Sequence, residues 1–397
     1  MRMNNGIRVA LATCHDKRNY GSMLQAWATQ QFLQEQGYDV RTIDKVGLAG
    51  EISKGRRGHY LRHALDVGML AEKVPFALHR ARQGVSRKFG SEMARRKAAF
   101  DRFAGERFRL TRRTFGFAEA RELSAEYDVV VVGSDQLWLP VNVAGDYFTL
   151  SWVDPSVRRV SYATSFGLAS LDAWTERRVG EFLAGYHAVS VREESGADIV
   201  EAATGRRPEV VCDPTMLLGA EQWREVAASS DAVAPDGPYV FAYFLGRNAW
   251  QREAVRAYAD AHGLAVVAIA HNDSYVRADE GYADLYPWDA GPAEWVRLVD
   301  GAELVCTDSF HGTVFSNILE TPFVSFRRHA DGAQSTNSRM DTLLGTLGLG
   351  GRLCESPSDL DAIAAAELDF AGPRRRLEAY STSSAQWLTD CLGGGEK

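Results

Sequence analysis

The residues best suited to chemistry lie in Leu304-Val305-Cys306-Thr307-Asp308-Ser309-Phe310-His311-Gly312-Thr313. An apolar run stops, a polar turn follows, and Val314 to Leu319 reads as a helix. Ser309, His311, Gly312 and Thr313 would then stand at a helix N-terminus, where free N–H groups and the positive dipole end attract anions. A histidine there can move protons near neutral pH, or it can simply cap the helix. Arg192 follows the apolar run Ala188–Val191, and its planar fork suits phosphate or carboxylate. Glu193 and Glu194 beside it offer an ordinary surface ion pair instead. Asn19-Tyr20-Gly21-Ser22 opens a helical pattern with small residues, either an N-capped turn or a backbone that can approach a phosphate or sugar. In Gly133-Ser134-Asp135-Gln136-Leu137-Trp138, Asp135 and Gln136 could hold vicinal hydroxyls. Trp138 could stack on a sugar or fill the core. The first turn has no GxGxxG and the chain no GxxxxGK[ST] loop, so neither a dinucleotide fingerprint nor a P-loop is supported. No Asp/Glu/His cluster has metal-ligand spacing, so the expectation is metal-independent chemistry with no cofactor.

These residues need elements to hold them. Ile7–Leu11, a helical pattern through Leu24, Trp27, Ala28 and Phe32, and Tyr38–Ile43 form a strand–helix–strand unit. Tyr127–Val132, Arg159–Ala163, His187–Val191 and Val210–Cys212 read as further strands, each followed by polar, glycine or acidic residues. The carboxyl edge of an open α/β sheet is where ligands bind. Tyr239–Phe244, Ala265–Ala270, Leu304–Cys306 and Pro322–Phe326 predict a second such sheet, and Arg374 to Leu392 a last helix. The predicted division is a first domain over 1–226, a linker over 227–238, a second domain over 239–372 and a C-terminal helical segment over 373–397. Residues 51–113 read as a helical insertion in the first domain, with 17 Lys or Arg against 6 Asp or Glu.

The 397-residue length favours two domains, and 45% hydrophobic residues can supply two cores. A net charge of -7 excludes a nucleic-acid-binding signature for the whole molecule. The five scattered cysteines suggest reduced thiols and a cytoplasmic setting, with Cys212 and Cys306 as small buried hydrophobes. Met1 to Asn5 does not read as a signal peptide, and no apolar run is long enough to span a bilayer. Arg80, Arg82, Arg87 and Lys88 beside Val74, Phe76, Leu78, Val85 and Phe89 could seat the insertion peripherally on an anionic inner-membrane surface. The competing expectation is a helical hairpin whose charges pair within the molecule.

In order along the chain, Asn19-x-Gly21, Gly133-Ser134-Asp135-Gln136-x-Trp138, Ser161-Tyr162-Ala163-x-Ser165-Phe166-Gly167, Val189-Ser190-Val191-Arg192-Glu193, Asp213-Pro214-Thr215 and Asp308-Ser309-Phe310-His311-Gly312 resemble the polysaccharide pyruvyl transferase family. Asn337-Ser338-Arg339 before a Leu-rich segment adds to the resemblance, which runs from about Arg8 to about Leu349 outside the insertion. It implies a GT-B-like α/β architecture, two Rossmann-like domains facing across a cleft. The implied reaction uses phosphoenolpyruvate to place a pyruvate ketal on a glycan, free or lipid-linked, in polysaccharide or exopolysaccharide biosynthesis. His311 looks like the family's catalytic histidine and Arg192 like an arginine that binds the donor. Ser309, Gly312, Thr313, Asn337 and Arg339 become donor-side candidates, and Asn19, Gly21, Ser22, Asp135 and Gln136 acceptor-side candidates. A nucleotide-sugar glycosyltransferase on the same fold, or a non-catalytic glycan-binding relative, are the competing expectations.

Overall fold

The computed structural model describes residues 6–62, 87–230, 234–271, 276–328 and 338–393. The strands are β1 (Arg8–Ala12), β2 (Asp39–Thr42), β3 (Val129–Val132), β4 (Arg158–Thr164), β5 (Ala188–Val191), β6 (Glu209–Val210), β7 (Tyr239–Tyr243), β8 (Ala265–Ala268), β9 (Leu304–Thr307), β10 (Phe323–Phe326) and β11 (Leu353–Cys354). They form two parallel sheets, β2-β1-β3-β4-β5-β6 and β11-β10-β9-β7-β8. The central strands are continuous apolar runs, as in β3, four consecutive buried valines. Helices cover both faces of such a sheet, so both faces must be apolar. The molecule is thus α/β, with two Rossmann-like domains facing across a cleft. In each sheet the order reverses beside the first strand, between β1 and β3 and between β7 and β9. Crevices open at such switch points, and the loops after these four strands line them.

Several helices join the two halves. α1 (Tyr20–Glu35), α2 (Ala49–Arg62) and α3 (Arg87–Arg107) lie in the first half of the chain. α4 (Ala220–Ala228) carries helix two residues into the predicted linker, because Trp223, Val226 and Ala227 are buried and Trp223 packs edge-on to Trp27 and Phe315. Beyond it, 229–230 and 234–238 are irregular. α5 (Pro292–Asp300), α6 (Phe310–Leu319) and α7 (Ser338–Leu347) belong to the second half. α8 (Ala371–Leu392) returns to the first sheet: Arg158 donates to the Leu392 carbonyl at 3.0 Å, and the Cys212 N–H donates to Ser384 Oγ at 2.9 Å.

The described part of the basic insertion is helical. Its α3 turns one cation inward: Arg96 is buried and donates to the Ala270 carbonyl at 2.7 Å, while the exposed Arg95 and Arg102 pair with Asp289 and Glu294. Phe100 packs on Tyr20. Val74, Phe76, Leu78, Arg80, Arg82 and Val85 lie outside the described residues. Among the described residues, no helix is long and apolar enough to cross a membrane.

Candidate active site

Ser309 caps α6, its Oγ accepting the Gly312 N–H at 3.3 Å, so the helix begins at Phe310, earlier than the sequence pattern indicates. Asp308 holds the preceding turn by accepting the Leu245 and Gly246 N–H groups, each at 2.7 Å. This places His311 in the first turn of α6, facing the other sheet. Across the cleft stands Asp213, just beyond β6, with its Oδ1 held by the Thr215 N–H and hydroxyl. Its Oδ2 lies 2.6 Å from Arg192 Nη1, 3.2 Å from Ser134 Oγ and 3.6 Å from His311 Nε2. One carboxylate oxygen therefore joins an arginine of the first sheet to a histidine of the second.

A second carboxylate flanks this contact. Asp135 Oδ1 is 3.7 Å from Arg192 Nη2, and its Oδ2 accepts Ser22 Oγ at 2.6 Å with Lys17 Nζ 3.9 Å away. Burial would raise the Asp135 carboxyl, but Lys17, Arg192 and His311 outweigh it and hold it well below the ordinary range. Burial would likewise raise the Asp213 carboxyl, but His311 and Arg192 override it and hold it well below the ordinary range. Both are thus anions at neutral pH. Arg192, disfavoured by burial, is held charged by Asp213 and Asp135.

Not every donor is used. Arg192 Nε and Nη2, His311 Nε2 and Arg339 Nε are buried without hydrogen-bond partners. Arg192 lies 4.6 Å and Arg339 6.0 Å from the centre of the Phe310 ring. Arg339 lines a small recess of about 20 Å³ with Asp308, Phe310, Phe326, Arg327, Arg328 and Met340. Unpaired buried donors cost free energy unless a ligand meets them, so the arrangement suits a small anion.

A sequence model of the polysaccharide pyruvyl transferases matches residues 19–329. The chain belongs to that family. It is a transferase of the kind that pyruvylates polysaccharides. A comparison with curated protein sequences gives no match. Among solved structures, the UDP-GlcNAc 2-epimerase of Methanocaldococcus jannaschii is similar over 98% of this chain and 99% of its own, with TM-score 0.52 and 12% identity. The UDP-GlcNAc 2-epimerase of Neisseria meningitidis covers 97% and 98%, with TM-score 0.48 and 8% identity. Acinetobacter baumannii MurG covers 97% and 98%, with TM-score 0.42 and 10% identity. At 12% identity the likeness to the Methanocaldococcus jannaschii enzyme is one of fold alone, two Rossmann-like domains in a GT-B arrangement.

In this pyruvyl transferase family member the sequence candidates fall into two groups. His311, Arg192, Asp135, Ser22 and Gly21 meet at the cleft. Gly21 lies so close to His311 that a Cβ there would be 2.1 Å from Nδ1. Asn19 caps α1, accepting the Ser22 N–H at 3.1 Å. Gln136 is half-buried with its amide against Gly167.

Other candidates are engaged within the fold. Thr313 is fully buried, and its hydroxyl pairs with Ser325 at 2.7 Å instead of facing the cleft. Ser309 and Gly312 satisfy one another, and Gly312 packs on Thr307. Ser22 Oγ donates to Asp135 Oδ2 at 2.6 Å. Trp138 is core: its Nε1 donates to the Phe148 carbonyl, and it packs among Phe166, Phe182 and Tyr186. Arg192 pairs with Asp213 and not with Glu193 or Glu194. Asn337 lies outside the described residues.

The position of Asp213 between Arg192 and His311 is not among the sequence candidates. Its signal was the Asp-Pro-Thr after a strand, visible as a motif without an assigned job. Lys17 gave no signal beyond its place in a polar loop.

Proposed function

We propose that the chain transfers pyruvate from phosphoenolpyruvate to two hydroxyls of a glycan, closing a cyclic ketal and releasing phosphate. The vinyl methylene takes a proton and becomes methyl, leaving an oxocarbenium-like C2. One hydroxyl oxygen adds to C2, the C2–O bond to phosphate breaks, and the second hydroxyl adds. Of the two hydroxyl protons, one balances the proton on the methyl group and the other leaves with phosphate.

The observation that carries this reading is the meeting of His311 with the Arg192–Asp213 pair beside unpaired guanidinium N–H groups. His311 moves the proton, and Arg192 with Arg339 binds the donor's negative charge. We place the acceptor along the first-domain loops that carry Asn19 and Gln136. Asp135 serves as the counter-charge of Arg192. No metal or cofactor enters this scheme. The described cations of the basic 51–113 region, Arg95, Arg96 and Arg102, find partners within the molecule, which favours an internally paired hairpin; liposome co-sedimentation at low and high salt tests the competing contact with an anionic surface.

The deciding assay is phosphate release from phosphoenolpyruvate with a glycan acceptor, alongside mass spectrometry of the surface glycan with and without the protein. Loss of one ketal without the protein is expected. No turnover in that assay would favour a glycan-binding relative. The fold shared with a UDP-GlcNAc epimerase keeps a nucleotide-sugar donor as the second reading. Calorimetry with phosphoenolpyruvate against UDP-GlcNAc separates the two donors.

A further inference from the structure

Arg339 is 7% exposed, its Nε is buried without a hydrogen-bond partner, and the side chain makes no ion pair among the described residues. A buried arginine is ordinarily paired. The nearby cations each have at least one polar partner. Arg327 is bound by Glu355 and Asp341, and Arg328 donates to the Asp308 carbonyl at 2.9 Å. Arg192 already gives Nη1 to Asp213. Burial, with the like charge of Arg192 next, pushes the Arg339 guanidinium down to about 10. A bound anion would relieve both effects.

Resting on the donor reading above, we propose that Arg339 is the specificity residue that grips the donor's carboxylate, while Arg192 and His311 take its phosphate. The two anions of an enol phosphate of this class hang from one carbon. Arg192 and Arg339 likewise stand close to one aromatic ring, that of Phe310. Phosphate is the group that leaves and needs a proton, so it belongs beside the histidine. The carboxylate is unchanged by the reaction and needs only a planar two-toothed cation, which an unpaired guanidinium supplies. Phe310, Phe326 and Met340 line the same recess and give the donor's methylene an apolar wall. The consequence is selection: an enol phosphate without the carboxylate leaves Arg339 buried and unmatched, and is rejected.

The test is calorimetry with phosphoenolpyruvate and with vinyl phosphate, which lacks the carboxylate, on the full chain and on Arg339→Gln and Arg339→Lys. Wild type should prefer phosphoenolpyruvate. Arg339→Gln should lose about 10- to 100-fold in affinity for it, the worth of a charged hydrogen bond, with vinyl phosphate unchanged. Arg339→Lys keeps the charge and serves if the Gln variant fails to fold; it should show the same selective loss to a smaller extent. Equal losses for both ligands, or no loss for either, overturn the assignment. If wild type binds no phosphoenolpyruvate at all, the donor reading itself fails, a different outcome from the loss of Arg339's role.

Discussion

A Cβ on Gly21 would stand 2.1 Å from Nδ1 and 2.2 Å from Cγ of His311. The start of α1 in the first domain and the start of α6 in the second therefore meet at a point where only a hydrogen fits. Gly21 has no positive φ to explain it; the requirement is space. Gly21→Ala should force the buried imidazole aside. Misplacing a catalytic group by about 1 Å can cost about 100-fold in rate. Overpacking should also cost about 1–3 kcal/mol in stability. Turnover and a denaturant melt measure both. Wild-type turnover would mean that His311 relaxes without harm and that its position is not critical.

Arg192→Lys should raise KM for phosphoenolpyruvate by roughly 10- to 100-fold. Lysine can keep the contact with Asp213 but has no second and third planar N–H to offer the donor. A normal KM with normal kcat would return Arg192 to a purely structural role. Because Arg192 faces the phosphate in the proposed scheme, this variant should lose phosphoenolpyruvate and vinyl phosphate alike, unlike the Arg339 variants.

Much of the frame was legible because its signals are local. Strands such as β3 and β9 are short apolar runs that end in polar residues, and the turn at Asp308–His311 marks a carboxyl edge by itself. What escaped the sequence were contacts across distance and the direction of side chains. Asp213 and His311 come from different sheets, and neither spacing nor composition pairs them. Thr313 sits among chemistry-bearing neighbours, yet the helix phase set by the Ser309 cap turns its hydroxyl to Ser325. The charge of the insertion counted correctly but said nothing about the inward path of Arg96 to Ala270.

His15 makes part of the stability depend on pH. It is buried against Phe108 with Nδ1 unpartnered. Burial pushes its pKa down to about 4; Lys45 adds to this, while Asp16 and Asp44 oppose it. An unfolded histidine titrates near 6.5, so below that pH the unfolded chain takes up a proton that the fold refuses. This contribution to stability is fully present above about pH 6.5, falls as pH drops, and is exhausted near the folded value. Between pH 7 and pH 5 it amounts to about 2 kcal/mol. His15→Gln should therefore be less acid-sensitive than wild type over that interval, read as the change in urea midpoint. Parallel loss in both proteins would assign the sensitivity elsewhere.

Asp213→Asn tests the centre of the site. The asparagine oxygen can still receive the Thr215 N–H and hydroxyl that now bind Oδ1. Its amide NH₂ must then face Arg192 Nη1, where a carboxylate oxygen stood at 2.6 Å. Two donors oppose each other, and a fully buried guanidinium loses its nearest counter-charge. Breaking a buried ion pair from one side typically costs about 3–5 kcal/mol. The cost should depend on pH in a defined direction. The native Asp213 carboxyl is held well below the ordinary range, because His311 and Arg192 outweigh the effect of burial. A depressed acid contributes stability that is present above the unfolded value, about 3.9, and is lost as pH falls below it. The stability gap between wild type and Asp213→Asn should thus be widest at neutral pH and narrow once pH falls below about 4. Denaturant melts across pH 3 to 7 measure it. A gap that stays constant through acid would show that the carboxylate's charge is not what holds Arg192, and that shape alone governs the site.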